Sequence, residues 1–442
     1  MITDTETLDI LRTGDVQRIL EHLHGLPRAE LRAALIADFV ALTELIRSDE
    51  YKLHDTEWMY LPWWQEQEER ENMIQTHAQL EAWEYWPDEH LEFLFTKPMI
   101  SFRLKVDLDS LMDTAYLLPN LVYLSLSDQK PADPILNVRN MPRLWCIRCI
   151  NSGIEEVSDS ILRLGDLRKL ELSKNKIRIV PATWSALQLE VLDLSENELE
   201  TVPSWLFAQP SLKRLQLSNN NLKRIPLPVE EVQMEWKFLF LDGNQIEDFS
   251  FLERMKAIEN LTIQGNHVAI YPVKLPIIHD VKLDSDQWNR LAPLFPLGLR
   301  SITISKGHAT ALLNQIGPAV ETVCGLSMIK LEIESSFDLR RFSSLKSLHL
   351  ESVGGFSELP QVLFDLQQLE TISFLDCHIT SLAGPWSGLR NLKSVTFSSC
   401  GIVDIPQAFF SLPRKVEIDL EDNPIPVVQK MKLKRHFKDL NI

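Results

Sequence analysis

One stretch constrains this chain more than any other. Between Leu167 and Pro226 it writes LRKLELSKNKIRIVP, LEVLDLSENELETVP and LKRLQLSNNNLKRIP. All three share the frame L-x-x-L-x-L-x-x-N-x-[L/I], with a proline four residues after the last apolar position. The frames open at Leu167, Leu189 and Leu212, a period of 22 to 23 residues. With the opening Leu as place 1, apolar places 4 and 6 alternate with polar neighbours, which is strand periodicity. Leu170 and Leu172 share one face, and Lys169, Glu171 and Ser173 share the other. A single such strand cannot cover its apolar face, but stacked copies bury it as a parallel sheet. Each buried Leu contributes about 1.5–3 kcal/mol, so a coil is stable only through its neighbours.

The remaining places fit the same picture. Asn175, Asn197 and Asn220 stand at place 9, where the backbone leaves the strand. An Asn amide both donates and accepts, so a column of them can satisfy a buried turn. Pro181, Pro203 and Pro226 suit the convex side, which supplies no continuous N–H ladder. The motif resembles the leucine-rich repeat family, in its proline-bearing 22–23-residue type, similar to intracellular signalling and bacterial members. The resemblance implies an α/β solenoid: a horseshoe with a parallel concave sheet and short helices or turns outside.

The frame extends in both directions. A first strand is expected at 99–108, and frames open at Leu121, Leu144, Trp236, Ile258, Ile278, Leu299, Met328, Leu345, Leu369, Leu392 and Lys415. That makes about fourteen repeats over 99–426. The steps from 299 to 328 and from 328 to 345 are 29 and 17 residues, which predicts a displaced strand near 328 after a longer convex helix. The ladder lapses over Asp286, Gly307, Ser336 and Val353, then resumes as Cys377, Cys400 and Asn423.

Both flanks depart from the repeat. Residues 1–98 carry 21 Asp/Glu against 8 Lys/Arg, so most of the chain's net charge of −17 lies there. That balance disfavours nucleic acid and anionic membranes as partners for this part. The segment reads as a mainly helical, Trp-rich domain that caps the first repeat, with helices near 16–24, 29–46 and 65–84. Residues 427–442 read as a C-terminal cap helix, with Val428, Met431, Leu433, Phe437 and Leu440 on one apolar face. KLKRHFK within it is a basic run that competes with this reading as a signal.

No P-loop, G-x-S-x-G, HExxH or dinucleotide-binding glycine pattern occurs. No enzymatic activity, cofactor or metal is therefore expected. Trp145-Cys146-Ile147-Arg148-Cys149 mimics a redox motif, but its cysteines fall at places 3 and 6 of a repeat strand. An odd separation sends them to opposite faces, with Cys149 in the core and Cys146 on the concave surface. The five cysteines, an odd number, suggest reduced thiols, and the acidic N-terminus lacks the pattern of a secretion signal. The chain is accordingly expected to be cytoplasmic, with no membrane span, since no stretch of about 18 apolar residues exists.

In the leucine-rich repeat family, partners commonly sit on the concave face built from places 3, 5 and 7. Carried onto this chain, the resemblance points to Phe238 and Phe240, side by side on one strand, with Arg214 and Gln216 next door. Exposed aromatics beside an Arg have the composition of an interface hot spot. Arg148 and Lys169, with Lys174, form a smaller basic cluster that either meets an acidic partner or balances Glu171 and Asp193. The expected function is a non-enzymatic scaffold for a protein partner, with no nucleic acid and no small molecule as ligand. Two other readings stay open. One is a bacterial effector acting in a host cell; the other is an enzyme regulator acting through the N-terminal domain.

Overall fold

The computed structural model describes residues 102–103, 123–125, 135–136, 138, 144–226, 232–308, 318–332, 339–355 and 357–442. The helical, Trp-rich domain expected over 1–98 lies outside the described residues. The chain divides into two units, Met1–Asn221 and Leu222–Ile442.

In the first unit the strands are β1 (Phe102–Arg103), β2 (Tyr123–Ser125), β3 (Ile135–Leu136), β4 (Cys146–Arg148), β5 (Glu156–Val157), β6 (Lys169–Glu171), β7 (Val191–Asp193) and β8 (Arg214–Gln216). β1, β2, β4, β6, β7 and β8 form a parallel sheet in that order, and β3 pairs with β5 apart from it. The register aligns Leu124, Ile147, Leu170, Leu192 and Leu215 in one row, all fully buried. This row is place 4 of the frame. The convex side is built from 3-10 helices at Asp159–Arg163, Ala182–Ala186 and Ser204–Phe207. Pro181 and Pro203 sit in extended backbone immediately before two of them. The ring fixes φ there and removes an N–H that the first turn could not use. Ile161, Trp184 and Leu206 point inward from these helices and are fully buried.

The second unit continues with β9 (Val232–Phe240), β10 (Met255–Thr262), β11 (Ile277–Asp284), β12 (Ser301–His308), β13 (Gly325–Glu332), β14 (Ser347–Glu351), β15 (Thr371–Leu375), β16 (Ser394–Ser398), β17 (Glu417–Asp419) and β18 (Leu440–Asn441). They pair in sequence order, all parallel. Among the described residues, two α-helices interrupt them, α1 (Ser285–Leu291) and α2 (Val427–His436).

Place 8 carries the turn. Asn151, Lys174, Glu196, Asn219, Ser352, Asp376, Ser399 and Asp422 all adopt φ between 50 and 58°, and Gly243 and Gly265 take the same left-handed role. This single residue swings the next side chain back into the interior, which is how the place 9 Asn is buried beneath a polar strand end. The ladder then closes. Asn175 donates to the carbonyls of Cys149 (2.6 Å) and Leu172 (2.9 Å) and accepts from the amides of Ser152 (2.9 Å) and Ile154 (3.1 Å). Asn197, Asn220, Asn244 and Asn266 repeat the pattern within their own units, each accepting from a backbone amide about one repeat upstream, as Asn266 does from Ile246 (3.0 Å). Cys377 and Cys400 replace the amide with a thiol that donates to the Leu350 and Phe374 carbonyls. Asn423 resumes the amide ladder, accepting from Cys400 and Ile402.

Three expectations are corrected here. The strand near 328 is not displaced. Ile302 pairs with Leu326 and Leu326 with Leu348, while Ile304, Met328 and Leu350 form the next row. The repeat therefore opens at Val323, with steps of 24 residues (299 to 323) and 22 residues (323 to 345). Lys330 is the left-handed residue (φ 54°), and Leu331 after it fills place 9 as a buried aliphatic group. Apolar alternation thus runs on through the turn and imitates a strand five residues late. In place of the longer convex helix, the described residues before β13 form a 3-10 helix, Pro318–Thr322, and 309–317 lie outside the described residues.

The second concerns the ladder lapse expected at Asp286, where the chain forms α1. Asp284 and Gln287 make a capping box, the Asp-x-x-Gln spacing that marks a helix start. Gln287 accepts from the Asp284 amide and donates to the Ile263 carbonyl, both at 3.0 Å, so it supplies the ladder donor where place 9 holds Asp286. The third concerns the C-terminus. Residues 427–436 are helical, but Val428 and Met431 remain exposed, so the expected apolar face is not closed over. Only Leu433 of the helix is buried, with Phe437 just beyond it, and the strand β18 covers the edge of β17.

Candidate functional site

Places 3, 5 and 7 of each strand stand on the face opposite the buried row. On the first unit this face is not the open polar surface that alternation implies. Lys169 is only 5% exposed, and its Nζ lies 3.0 Å from Glu171 Oε1. Arg148 Nε approaches Glu171 Oε2 at 3.8 Å. The two cations converge on one carboxylate, so they balance charge within the face and do not present a basic cluster. Lys174 lies apart from them and pairs with Glu196 at 3.8 Å. Cys146, expected on the concave surface, is 0% exposed and does not present its thiol there. Burial pushes that thiol far up, against the pull of Lys169. Cys149 is fully buried in the core. A protonated, enclosed thiol is a poor nucleophile.

Asp193 is next along the same face. Its carboxylate accepts from the Ser195 amide (2.9 Å) and the Ser195 hydroxyl (2.6 Å). Burial nevertheless raises its pKa above the ordinary 3.8, outweighing those hydrogen bonds. A folded pKa above the unfolded one means the native state holds the extra proton between the two values. Stability contributed at this site is therefore present at acid pH and lost as pH rises from about 3.8 through the raised value. Asp193→Asn keeps the acceptor and removes the charge. Thermal melts of the two proteins should differ least near pH 4, with the difference moving in favour of the variant as pH rises. A pH-independent difference would contradict the assigned burial cost.

Arg214 and Gln216 complete the first unit's face, half-buried, with Arg214 Nε donating to Gln216 Oε1 at 2.9 Å. On the second unit, Leu239 and Leu241 are fully buried, which turns Phe238 and Phe240 to the concave side. Both rings are half-exposed and meet edge to face, centroids 5.9 Å apart. The register sets Asn260 and Thr262 of β10 beside them, then Asp280 and Lys282 of β11. A polar group beyond these was not anticipated: Ser305 is buried and donates to Gln264 Oε1 (2.7 Å) and towards Asp284 Oδ1 (3.3 Å). Its signal was the polar place 7 in three successive frames. Among the described residues no cluster of three His, Cys, Asp or Glu side chains could hold a metal ion. None of their helices is long and apolar enough to cross a membrane.

Parallel coils of 20 to 24 residues, a left-handed place 8 and a polar ladder at place 9 define a parallel β-solenoid built from repeats. The chain carries leucine-rich repeats. The family described as "Leucine rich repeat" matches residues 166–222, the stretch with the cleanest frames. Mouse Tsukushi is 26% identical over 265 residues, covering 58% of this chain and 65% of that protein. Xenopus laevis Tsukushi-A is 29% identical over 164 residues, 35% of this chain and 46% of the relative. Mouse Podocan is 33% identical over 111 residues, 23% of this chain and 18% of the relative. The chain thus spans less than two thirds of each of these proteins. Among solved structures, the TLR13-ssRNA13 complex aligns with a TM-score of 0.48 at 19% identity, covering 74% of this chain and 55% of that one.

These relatives overturn the cytoplasmic expectation, because Tsukushi, Podocan and Epiphycan are secreted extracellular proteins. The inference from cysteine count failed for a physical reason. A solenoid is held by stacked apolar rows and amide ladders, and all five cysteines of this chain are free. Cys149, Cys377 and Cys400 serve as core and ladder groups, so their number carries no message about redox compartment.

Proposed function

We propose that this chain is a non-enzymatic scaffold that binds a protein partner on the concave face of its second unit. The observation that carries this reading is the Phe238–Phe240 pair, half-exposed and edge to face beside the polar Asn260, Thr262, Asp280 and Lys282. Aromatic rings left at a polar surface gain most when a partner removes them from water. Arg214 and Gln216 offer hydrogen bonds on the first unit's own face, where Arg148 and Lys169 act as internal charge balance. The family resemblance and the matched relatives support the scaffold reading, and the absence of a catalytic motif in the sequence agrees with it.

The test is affinity capture from the source tissue or culture medium by the wild type and by the Phe238→Asp/Phe240→Asp variant, with melts to show both folded. Loss of two hot-spot aromatics should weaken capture at least about 30-fold. Unchanged capture by a folded variant would remove the second unit's concave face as the site.

A further inference from the structure

The helix α2 is built unlike the convex elements around it. It carries four cations and no acidic residue in the run VVQKMKLKRH. Its inward side is tied down: Leu433 and Phe437 are buried, Gln429 donates to Asp404 Oδ1 and accepts from the Ile405 amide, and His436 Nε2 lies 3.3 Å from the Leu412 carbonyl. With 3.6 residues per turn, inward Leu433 sends 428, 431 and 435 outward, with 432 and 434 on the flanks. Val427, Val428 and Met431 are accordingly 67, 66 and 57% exposed. Lys432, Lys434 and Arg435 are exposed too, and the Lys438 amide reaches the Arg414 carbonyl, which brings exposed Arg414 and Lys415 alongside.

Several cations elsewhere on the repeats have an acidic partner on a neighbouring coil: Lys174, Arg178 and Lys256 are matched by Glu196, Glu198 and Glu235. Among the described residues, no ion pair joins Arg414, Lys415, Lys432, Lys434, Arg435 or Lys438. Asp404, which contacts the helix through Gln429, is also engaged by Ser381. An unpaired cationic ring around exposed aliphatic side chains is complementary to a surface that is anionic outside and apolar just beneath.

We propose that α2 is a docking face for an anionic lipid surface, with Val427, Val428 and Met431 entering the acyl boundary and Lys432, Lys434, Arg435 and Lys438 meeting headgroup phosphates. The aliphatic centre favours lipid over a soluble polyanion, which would gain nothing from it. This face is separate from the concave site, and neither reading depends on the other.

The experiment is co-sedimentation of the full chain with vesicles of phosphatidylcholine alone and with about 30% phosphatidylserine. Binding is expected only to the anionic vesicles, falling as salt is raised from about 0.1 to 1 M. Met431→Asp should abolish it, and Lys432→Gln/Lys434→Gln/Arg435→Gln should weaken it about 100-fold. The salt titration of the wild type stands even if a variant fails to fold. Absence of binding, equal binding to both vesicles, or indifference to Met431→Asp would overturn the proposal. So would full competition by polyglutamate with Met431→Asp silent, which would assign the face to an acidic polymer.

Discussion

Trp386→Ala is expected to destabilise the second unit by about 3–5 kcal/mol, among the largest losses available to a single substitution in this chain. Trp386 is 1% exposed and stands at the centre of an aromatic column. It meets Phe364 edge to face at 5.3 Å and Phe409 at 5.0 Å, and Phe409 continues to Phe437 at 5.7 Å. Its Nε1 donates to the Leu382 carbonyl at 2.7 Å, so removal also leaves a buried acceptor. The neighbouring coil has little room to fall into the space. The Phe364 ring already lies where a side chain at Gly384 would begin, so the ring packs directly on the backbone there. Denaturant unfolding should show the loss in the midpoint. A cost below about 1.5 kcal/mol would mean that the column repacks freely.

Asn197→Ala should cost about 3 kcal/mol, although the residue lies in a surface-like polar sequence. Asn197 Oδ1 accepts from the Ile177 amide at 2.9 Å, and its Nδ2 donates to the carbonyls of Leu172 (2.9 Å) and Leu194 (3.1 Å). The carbonyls have second donors, since Asn175 also reaches Leu172 and Asn220 also reaches Leu194. The uncompensated loss therefore concentrates on the Ile177 amide, with partial loss at the carbonyls. Asn197→Asp keeps the acceptor but turns a carboxylate onto those carbonyls, and should cost at least as much. Asn197→Cys should fall between wild type and Ala, because Cys377 and Cys400 perform the donor half of the same task. Equal stability of all three variants would show that water replaces the ladder.

The repeats and their inward rows were legible from sequence because one residue type recurs at one place under one physical demand. Leu170, Leu192 and Leu215 must be apolar to stack, and the Asn after each strand must both donate and accept. The site was legible only as a direction. Alternation turned Phe238 and Phe240 to the concave side and Leu239 and Leu241 inward, as found. It could not separate Lys169, which is buried against Glu171, from Phe238, because places 3 and 5 all read as outward.

What the sequence alone determined is therefore the local rule: period, strand face, ladder residue and proline-led convex turn. These follow from interactions within a coil and its immediate copy. Tertiary structure decided whatever depends on which coil lies alongside. It set the Val323 register, where a left-handed Lys330 let an apolar alternation run past its strand. It gave the ladder role to Gln287 and converged Arg148 and Lys169 on one carboxylate. It also left the aliphatic side chains of α2 in water. Period-two and period-3.6 patterns specify a face, but burial and pairing are set by the neighbour that the face meets.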